Sequence, residues 1–162
     1  MRLIRRFWAF APVAVLACGG GISAPPPGFP NALAQHACGP ADGPALAIYL
    51  APEPAESPPP ATPYVRVFID QSVDQLDGRS WPVNGRESRG GARYQSGPDT
   101  FENATSGFVS ASSASGGKVI EGTVNLTFPK AGHVAGGFRA PVFENSFLCG
   151  SRPRCRRQAR SA

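Results

Sequence analysis

The side chains that could take part in catalysis are few, and their spacing does not bring them together. Ser115 and Lys118 match the Ser-x-x-Lys spacing of serine acyl-transfer enzymes, in which a helical turn places the lysine beside the serine. Here two glycines separate the pair in a predicted turn. The two histidines, His36 and His133, are far apart in the chain. We assign no catalytic residue and expect no enzyme. A hydrolase that uses His133 with a neighbouring serine or aspartate stays open as an alternative.

Residue types that bind metals are present, but they do not form the pattern of a metal site. The cysteines include no Cys-x-x-Cys pair, which structural zinc sites commonly use. Asp70, Asp74 and Asp77 lack the alternating positions and the later glutamate of a calcium loop. The sequence therefore predicts neither a metal nor a cofactor.

The four cysteines are Cys18, Cys38, Cys149 and Cys155, and export would permit a disulfide among them. Cys38 and Cys149 each precede a glycine and enclose the central part of the chain. A bridge between them would close a loop of about 110 residues, which the loop-entropy treatment values at about 4–5 kcal/mol. We predict a disulfide between Cys38 and Cys149, with Cys149–Cys155 as the alternative.

The first 17 residues have the pattern of an export signal. Residues 1–6 carry three arginines and no acid, and residues 7–17 form an apolar run of eleven. A basic start followed by a short apolar segment is typical of a signal peptide. Eleven residues are too few for a helix that spans a membrane, which needs about 20. We therefore predict a signal peptide over residues 1–17.

The end of this apolar run contains the sequence "VLAC", which resembles the lipobox of bacterial lipoproteins. Val15, Ala17 and Cys18 fit that pattern, whereas Leu16 stands where a smaller residue is usual. The resemblance implies that Cys18 is acylated and attaches the protein to a membrane of the bacterial cell envelope. Several acyl chains on one residue give a stable anchor.

A second cleavage site competes with the lipobox. The sequence "ALAQ" at residues 32–35 is a small-residue site at which cleavage after Ala34 would release a secreted protein. We favour the lipobox and interpret residues 18–34 as a tether, because glycine gives flexibility and proline gives extended spacing.

The net charge of +5 comes from the ends of the chain. Eight of the 16 basic residues lie in the first six and the last twelve residues, which leaves eight against 11 acids in between. A nucleic-acid-binding domain should carry a basic face, so we expect no nucleic acid as a partner. The basic segment 151–162 has no apolar pattern, and we predict that it is disordered.

The body of the chain has the periodicity of strands and no long helical pattern. Residues 119–128 alternate between apolar and polar side chains, and a turn at "PKAG" is followed by a returning segment, which predicts an antiparallel hairpin. Gly136 and Gly137 in that segment predict a bulge or a close approach of backbone. Further strands are predicted over 45–50, 64–69, 91–97, 106–113 and the segment "VFENSFLCG". The predicted fold is an all-β domain over residues 35–150, a small antiparallel β-sandwich or barrel.

One short stretch, "GGARYQSG" at residues 90–97, resembles the Gly-x-x-Tyr signature of bacterial inhibitors of c-type lysozyme. Gly91, Arg93 and Tyr94 are the matching positions. The resemblance implies a small antiparallel barrel whose signature loop enters the lysozyme cleft. It covers eight of 162 residues, and the second motif of that family, a tyrosine followed later by Lys-Gly, is missing.

Two functions follow as expectations. The first is an exported, lipid-anchored, non-catalytic β-domain with a structural or binding role in the bacterial envelope, whose only assigned partner is the membrane that it contacts through Cys18. The second is a secreted inhibitor of a hydrolase such as lysozyme, which would dock a loop around Tyr94. The sequence names no further protein partner.

Overall fold

The computed structural model describes residues 23–39, 43–83 and 90–144, and these residues form an all-β structure with no α-helix. Two single turns of 3-10 helix, Val73–Gln75 and Ser115–Gly117, interrupt the described strands. The strands are β1 (Asn31–Cys38), β2 (Pro44–Ala51), β3 (Tyr64–Ile69), β4 (Asp77–Pro82), β5 (Gly90–Gly97), β6 (Thr100–Asn103), β7 (Ser106–Ala114), β8 (Val119–Phe128) and β9 (Gly132–Phe143).

The nine described strands belong to one curled sheet that forms a half-barrel. Their order across the sheet is β4-β7-β8-β9-β1-β2-β3-β5-β6. The predicted all-β class is confirmed. The sheet is mixed, however, because β1 pairs in parallel with β9 through Ala34↔Val142 and Gln35↔Phe143. The other pairings are antiparallel.

The hydrophobic core lies on the concave face of the sheet. In β3 the side chains of Val65, Val67 and Ile69 are fully buried, while those between them are only partly covered. This alternation follows from the period of two along a strand. The largest fully buried side chains elsewhere in the core are Leu46, Ile48, Leu50, Val109, Ile120, Val124 and Leu126. Each such side chain stabilises the fold by about 1.5–3 kcal/mol relative to an exposed one.

The predicted hairpin is present as β8 and β9, which pair without a register shift from Val119↔Pro141 to Phe128↔Gly132. Gly122 of β8 leaves room for the ring of Phe138, since a Cβ at residue 122 would lie 2.9 Å from its Cζ atom. The same Cβ would lie 1.9 Å from the carbonyl oxygen of Ser110. Glycine is therefore required here by packing.

Gly136 and Gly137 of β9 lie where another backbone segment approaches closely, which is one of the two alternatives that the sequence predicted. The segment that precedes β1 lies directly against them, and the Gly137 amide donates to the Ala24 carbonyl over 2.7 Å. A Cβ on Gly137 would lie 2.2 Å from the Ser23 carbonyl oxygen. Pro26 in this segment is fully buried.

This packing differs from the expected flexible tether over residues 18–34 in the described part of that range, residues 23–34. Residues 23–26 lie against Gly136 and Gly137 of β9, and β1 already begins at Asn31. The folded body thus starts by residue 23, twelve residues before the predicted boundary at 35. Residues 1–22 lie outside the described residues, as does the predicted tail 151–162. The last predicted strand, "VFENSFLCG", is described only to Glu144.

The proline-rich segment, residues 52–63, connects two adjacent strands, β2 and β3, of the same sheet. The strands on either side of it are hydrogen-bonded neighbours, with Ile48 opposite Val67. Pro60 is buried, and the segment covers a hollow on the convex face that Leu33 of β1 and Tyr49 of β2 also line.

Replacement of Gly137 by alanine should lower the free energy of unfolding. The added methyl group would overlap the Ser23 carbonyl oxygen, and overpacking of this kind costs about 1–3 kcal/mol. Gly91→Ala is the matched control, since no atom lies within 4 Å of the Cβ position there, and we expect a change within about 0.5 kcal/mol. Denaturant unfolding followed by the fluorescence of the buried Trp81 measures both variants. Equal losses of stability would contradict the close packing of residues 23–26 on β9.

Candidate binding surface

The stretch that resembles the lysozyme-inhibitor signature forms a strand. Gly91, Arg93 and Tyr94 all belong to β5, which is paired with β3 on one side and with β6 on the other. A strand inside a sheet holds its backbone polar groups in ladder hydrogen bonds, unlike an exposed loop that could enter a cleft.

The three signature residues point to opposite faces of the sheet. The ring of Tyr94 lies on the concave side, with its centroid 6.3 Å from that of Phe29 and 6.1 Å from that of Phe128. Gly91 and Arg93 lie on the convex side and line a hollow there. The structure therefore keeps Arg93 available to a ligand and uses Tyr94 for packing.

The cysteines that carried sequence predictions are mostly beyond the described part of the chain. Cys18, Cys149 and Cys155 lie outside the described residues. Cys38 ends β1 and is disulfide-bonded. Its partner is not among the described residues, so the pairing with Cys149 stays a prediction.

The most distinctive polar feature of the convex face is a row of side chains that crosses four strands. Tyr49 of β2 is opposite Arg66 of β3, Arg66 is opposite Arg93 of β5, and Arg93 is opposite Asn103 of β6. Beside this row is a hollow of about 300 Å³. The residues that line it are Arg66, Phe68, Gly91, Ala92, Arg93 and Asn103.

Both arginines of this row are placed over aromatic rings. The guanidinium carbon of Arg93 is 3.9 Å from the ring centroid of Phe101, and that of Arg66 is 5.7 Å from the centroid of Phe68. Phe101 is 50% exposed. We call Arg66, Phe68, Arg93 and Phe101, with the adjoining hollow, the arginine–aromatic surface.

No carboxylate among the described residues forms an ion pair with either arginine of this surface. Ion pairs occur between Arg79 and Asp77, at 2.8 Å, and between Arg139 and Glu121, at 3.0 Å. The Nε atom of Arg66 is buried and, within residues 23–39, 43–83 and 90–144, has no hydrogen-bond partner. Like charges directly opposite each other in a sheet are destabilising. The placement of Arg66 opposite Arg93 therefore lowers the stability of the fold instead of adding to it.

Tyr49 forms the border between this surface and the hollow under the proline-rich segment. Its hydroxyl accepts a 2.8 Å hydrogen bond from the Gln35 side-chain amide, and its ring meets that of Tyr64 edge-on. Burial raises the pKa of Tyr49 above the ordinary tyrosine value of 10.0, and the nearby Arg66 opposes that shift. The phenol is neutral near pH 7 and does not offset the charge of Arg66.

The other residues considered for catalysis lie at two separate places in the sheet. His133 lies on the convex face with its Nε2 atom 3.0 Å from the Asn125 side-chain oxygen. Ser115 lies in a single 3-10 turn before β8, and Lys118 is its C-terminal cap. Among the described residues, no three His, Cys, Asp or Glu side chains group in a way that could hold a metal ion. That part of the chain also contains no helix long and apolar enough to cross a membrane.

Comparisons of this chain with protein-family models, with curated proteins and with solved structures give no match. The site must therefore be interpreted from its own geometry. The sequence predicted a strand over 64–69, which includes Arg66, but it could not place Arg93 beside Arg66. That contact depends on the pairing of β3 with β5, which are separated by β4 in the chain.

Tyr49 should make the free energy of unfolding depend on pH in the alkaline range. The folded state holds the phenol proton more tightly than the unfolded chain does, so the contribution of Tyr49 to stability is constant below the unfolded-state pKa of about 10 and falls as the pH rises above it. Tyr49→Phe should remove this decline and leave a pH-independent loss of about 0.5–1.5 kcal/mol for the hydrogen bond with Gln35. Unfolding free energies of both proteins measured from about pH 8 to 11 test this. Parallel curves for the two proteins would contradict it.

Proposed function

We propose that this protein is an exported, non-catalytic binding domain of the bacterial envelope, attached to a membrane through acylated Cys18. Its binding site is the arginine–aromatic surface on the convex face of the sheet. The disulfide at Cys38 supports export, because disulfides persist in oxidising compartments.

The observation that carries the membrane attachment is the position of Ala34. Ala34 is fully buried in β1, opposite Ile48 of β2 and Val142 of β9. Cleavage after Ala34 would remove four of the eight residues of β1 and leave a charged amine on Gln35 inside the sheet. It would also remove residues 23–26, which lie against Gly136 and Gly137 of β9. Processing at Cys18 keeps all of these contacts and is therefore the cleavage that suits the fold.

An anchor at Cys18 would hold the domain close to the membrane. From Cys18 to Ser23 the chain can reach at most about 18 Å when fully extended. Ser23 lies against Gly137 of β9, so that part of β9 would remain near the membrane surface.

A binding role suits the arginine–aromatic surface better than a catalytic one. Arginine keeps its charge at every pH near neutrality and cannot act as a general acid or base. It recognises anions through a planar fork of donors instead. Arg66 and Arg93 therefore suit the arginine–aromatic surface to binding an anion.

The alternative, a secreted inhibitor that docks a loop around Tyr94, has weaker support. Tyr94 lies in the middle of a paired strand, with its ring against Phe29 and Phe128. An inhibition assay with c-type lysozyme distinguishes the two proposals, since the binding domain should leave lysozyme activity unchanged at micromolar protein.

The mature N-terminus tests the proposed attachment. When the full chain is produced in a bacterial host, mass spectrometry of the membrane fraction should find an N-terminal Cys18 carrying a diacylglyceryl group. Cys18→Ser should lose this modification and leave the membrane fraction, whereas Leu16→Ala, which leaves Cys18 and every described residue unchanged, serves as the control and should keep both. A mature chain that begins at Gln35 would refute the anchor.

Truncation tests the structural argument separately. A chain that begins at residue 19 should unfold cooperatively, whereas one that begins at residue 35 should show no cooperative transition, because it lacks half of β1 and the buried Pro26. Circular dichroism during thermal unfolding measures both. Equal transition temperatures for the two chains would show that residues 23–34 are dispensable for the fold.

A further inference from the structure

The pairing of β3 with β5 sets two positive charges side by side. Arg66 and Arg93 are directly opposite each other, where Cβ atoms are about 4.5–5.5 Å apart. Both side chains line the same hollow, and neither has an ion pair within the described ranges. The central part of the chain has more acids than bases, so this concentration of positive charge is local to the surface.

One donor at this surface is already removed from water. The Nε atom of Arg66 is buried without a hydrogen-bond partner in the described part of the chain, although buried donors of folded proteins are nearly always paired. Because that Nε atom is covered, a ligand oxygen in the hollow would accept from the terminal guanidinium nitrogens of Arg66 and Arg93, the groups with which arginine binds oxyanions.

The hollow has room for a compact ligand. Gly91 lies opposite Phe68, and no atom lies within 4 Å of the position that a Cβ would take on Gly91. The absence of a side chain there opens the space between Phe68 and the two arginines. A volume of about 300 Å³ is at the lower end of the range for small-ligand sites.

The presence of two guanidinium groups, those of Arg66 and Arg93, favours a doubly charged oxyanion over a singly charged one as the ligand. One carboxylate carries a single charge and is satisfied by a single arginine fork. A phosphate monoester carries a charge of about −1.5 to −2 near pH 7 and has three strong acceptor oxygens, which matches two arginines. Phe68 and the half-exposed Phe101 provide apolar surface for the organic part of the ester.

We propose that the arginine–aromatic surface binds a phosphate monoester, with its phosphate held between Arg66 and Arg93. This proposal deepens the binding role given above and rests on it, but it does not depend on the anchor at Cys18. The phosphate of a soluble ester and that of a lipid headgroup present the same group to the arginines.

Calorimetric titration of the mature protein with glycerol 3-phosphate tests the proposal. We expect saturable binding that weakens at least tenfold in Arg66→Gln and in Arg93→Gln. Arg139→Gln is the matched control, because Arg139 also lies on the convex face but is paired with Glu121, and its affinity should stay within twofold of the original. Denaturant unfolding should show that Arg66→Gln and Arg93→Gln remain folded with midpoints close to that of the original protein, since each removes a like-charge contact and, in the opposite direction, a cation–π contact. A loss of binding is then separated from a loss of fold.

Further titrations identify the class and the source of the ligand. Succinate should bind at least tenfold more weakly than glycerol 3-phosphate, and equal affinity would overturn the choice of phosphate. Tighter binding of dihexanoyl phosphatidic acid than of glycerol 3-phosphate would assign the phosphate to a lipid, and the reverse order would assign it to a soluble ester. No saturable binding of either phosphate, or equal weakening in Arg139→Gln, would overturn the proposal. If Cys18 is acylated but no phosphate binds, the phosphate proposal is refuted and the anchor is not. If the mature protein begins at Gln35 and binds phosphate, the anchor is refuted and the phosphate proposal is not.

Discussion

The insertion of β1 between β9 and β2 is the constraint on which the rest of the structure depends. Four strands lie on each side of β1 in the sheet, and β1 joins the two groups by a parallel pairing on one side and an antiparallel pairing on the other. A strand from the beginning of the folded body thus connects to the strand at its end. This pairing requires long-range closure of the chain, which costs conformational entropy. The segment before β1 then adds contacts with β9 at the same joint.

Several glycines and prolines in the described part of the chain serve packing. Gly122 admits the ring of Phe138, and Gly137 admits the backbone of residue 23. Pro26 is buried in the body, and the proline-rich segment 52–63 covers part of the convex face. A composition that is typical of a linker can therefore belong to a folded sheet when the glycines lie where two backbones meet.

The sequence was informative where periodicity is local. Alternation over 119–128 predicted β8 and its hairpin with β9, and the strand predicted over 64–69 is present as β3. The sequence was misleading at β1, where "NALAQHAC" consists mostly of small residues that also suit a cleavage site. Its parallel partner is more than a hundred residues away, and no local pattern indicates such a pairing. The arginine–aromatic surface was missed for the same reason, because it depends on the register between β3 and β5.

The pairing of arginine with arginine contrasts with the neighbouring part of the same face. Between β8 and β9 the register places Glu121 opposite Arg139, and the two side chains form an ion pair. Between β3 and β5 the register places Arg66 opposite Arg93, and the described residues supply no carboxylate to either. Replacing one arginine with an acid would pair these charges at no cost in backbone geometry. The sheet therefore pairs its charges at one position and leaves two like charges together at another. The second arrangement lowers stability, and such a loss is expected where a surface binds an anion from outside the chain.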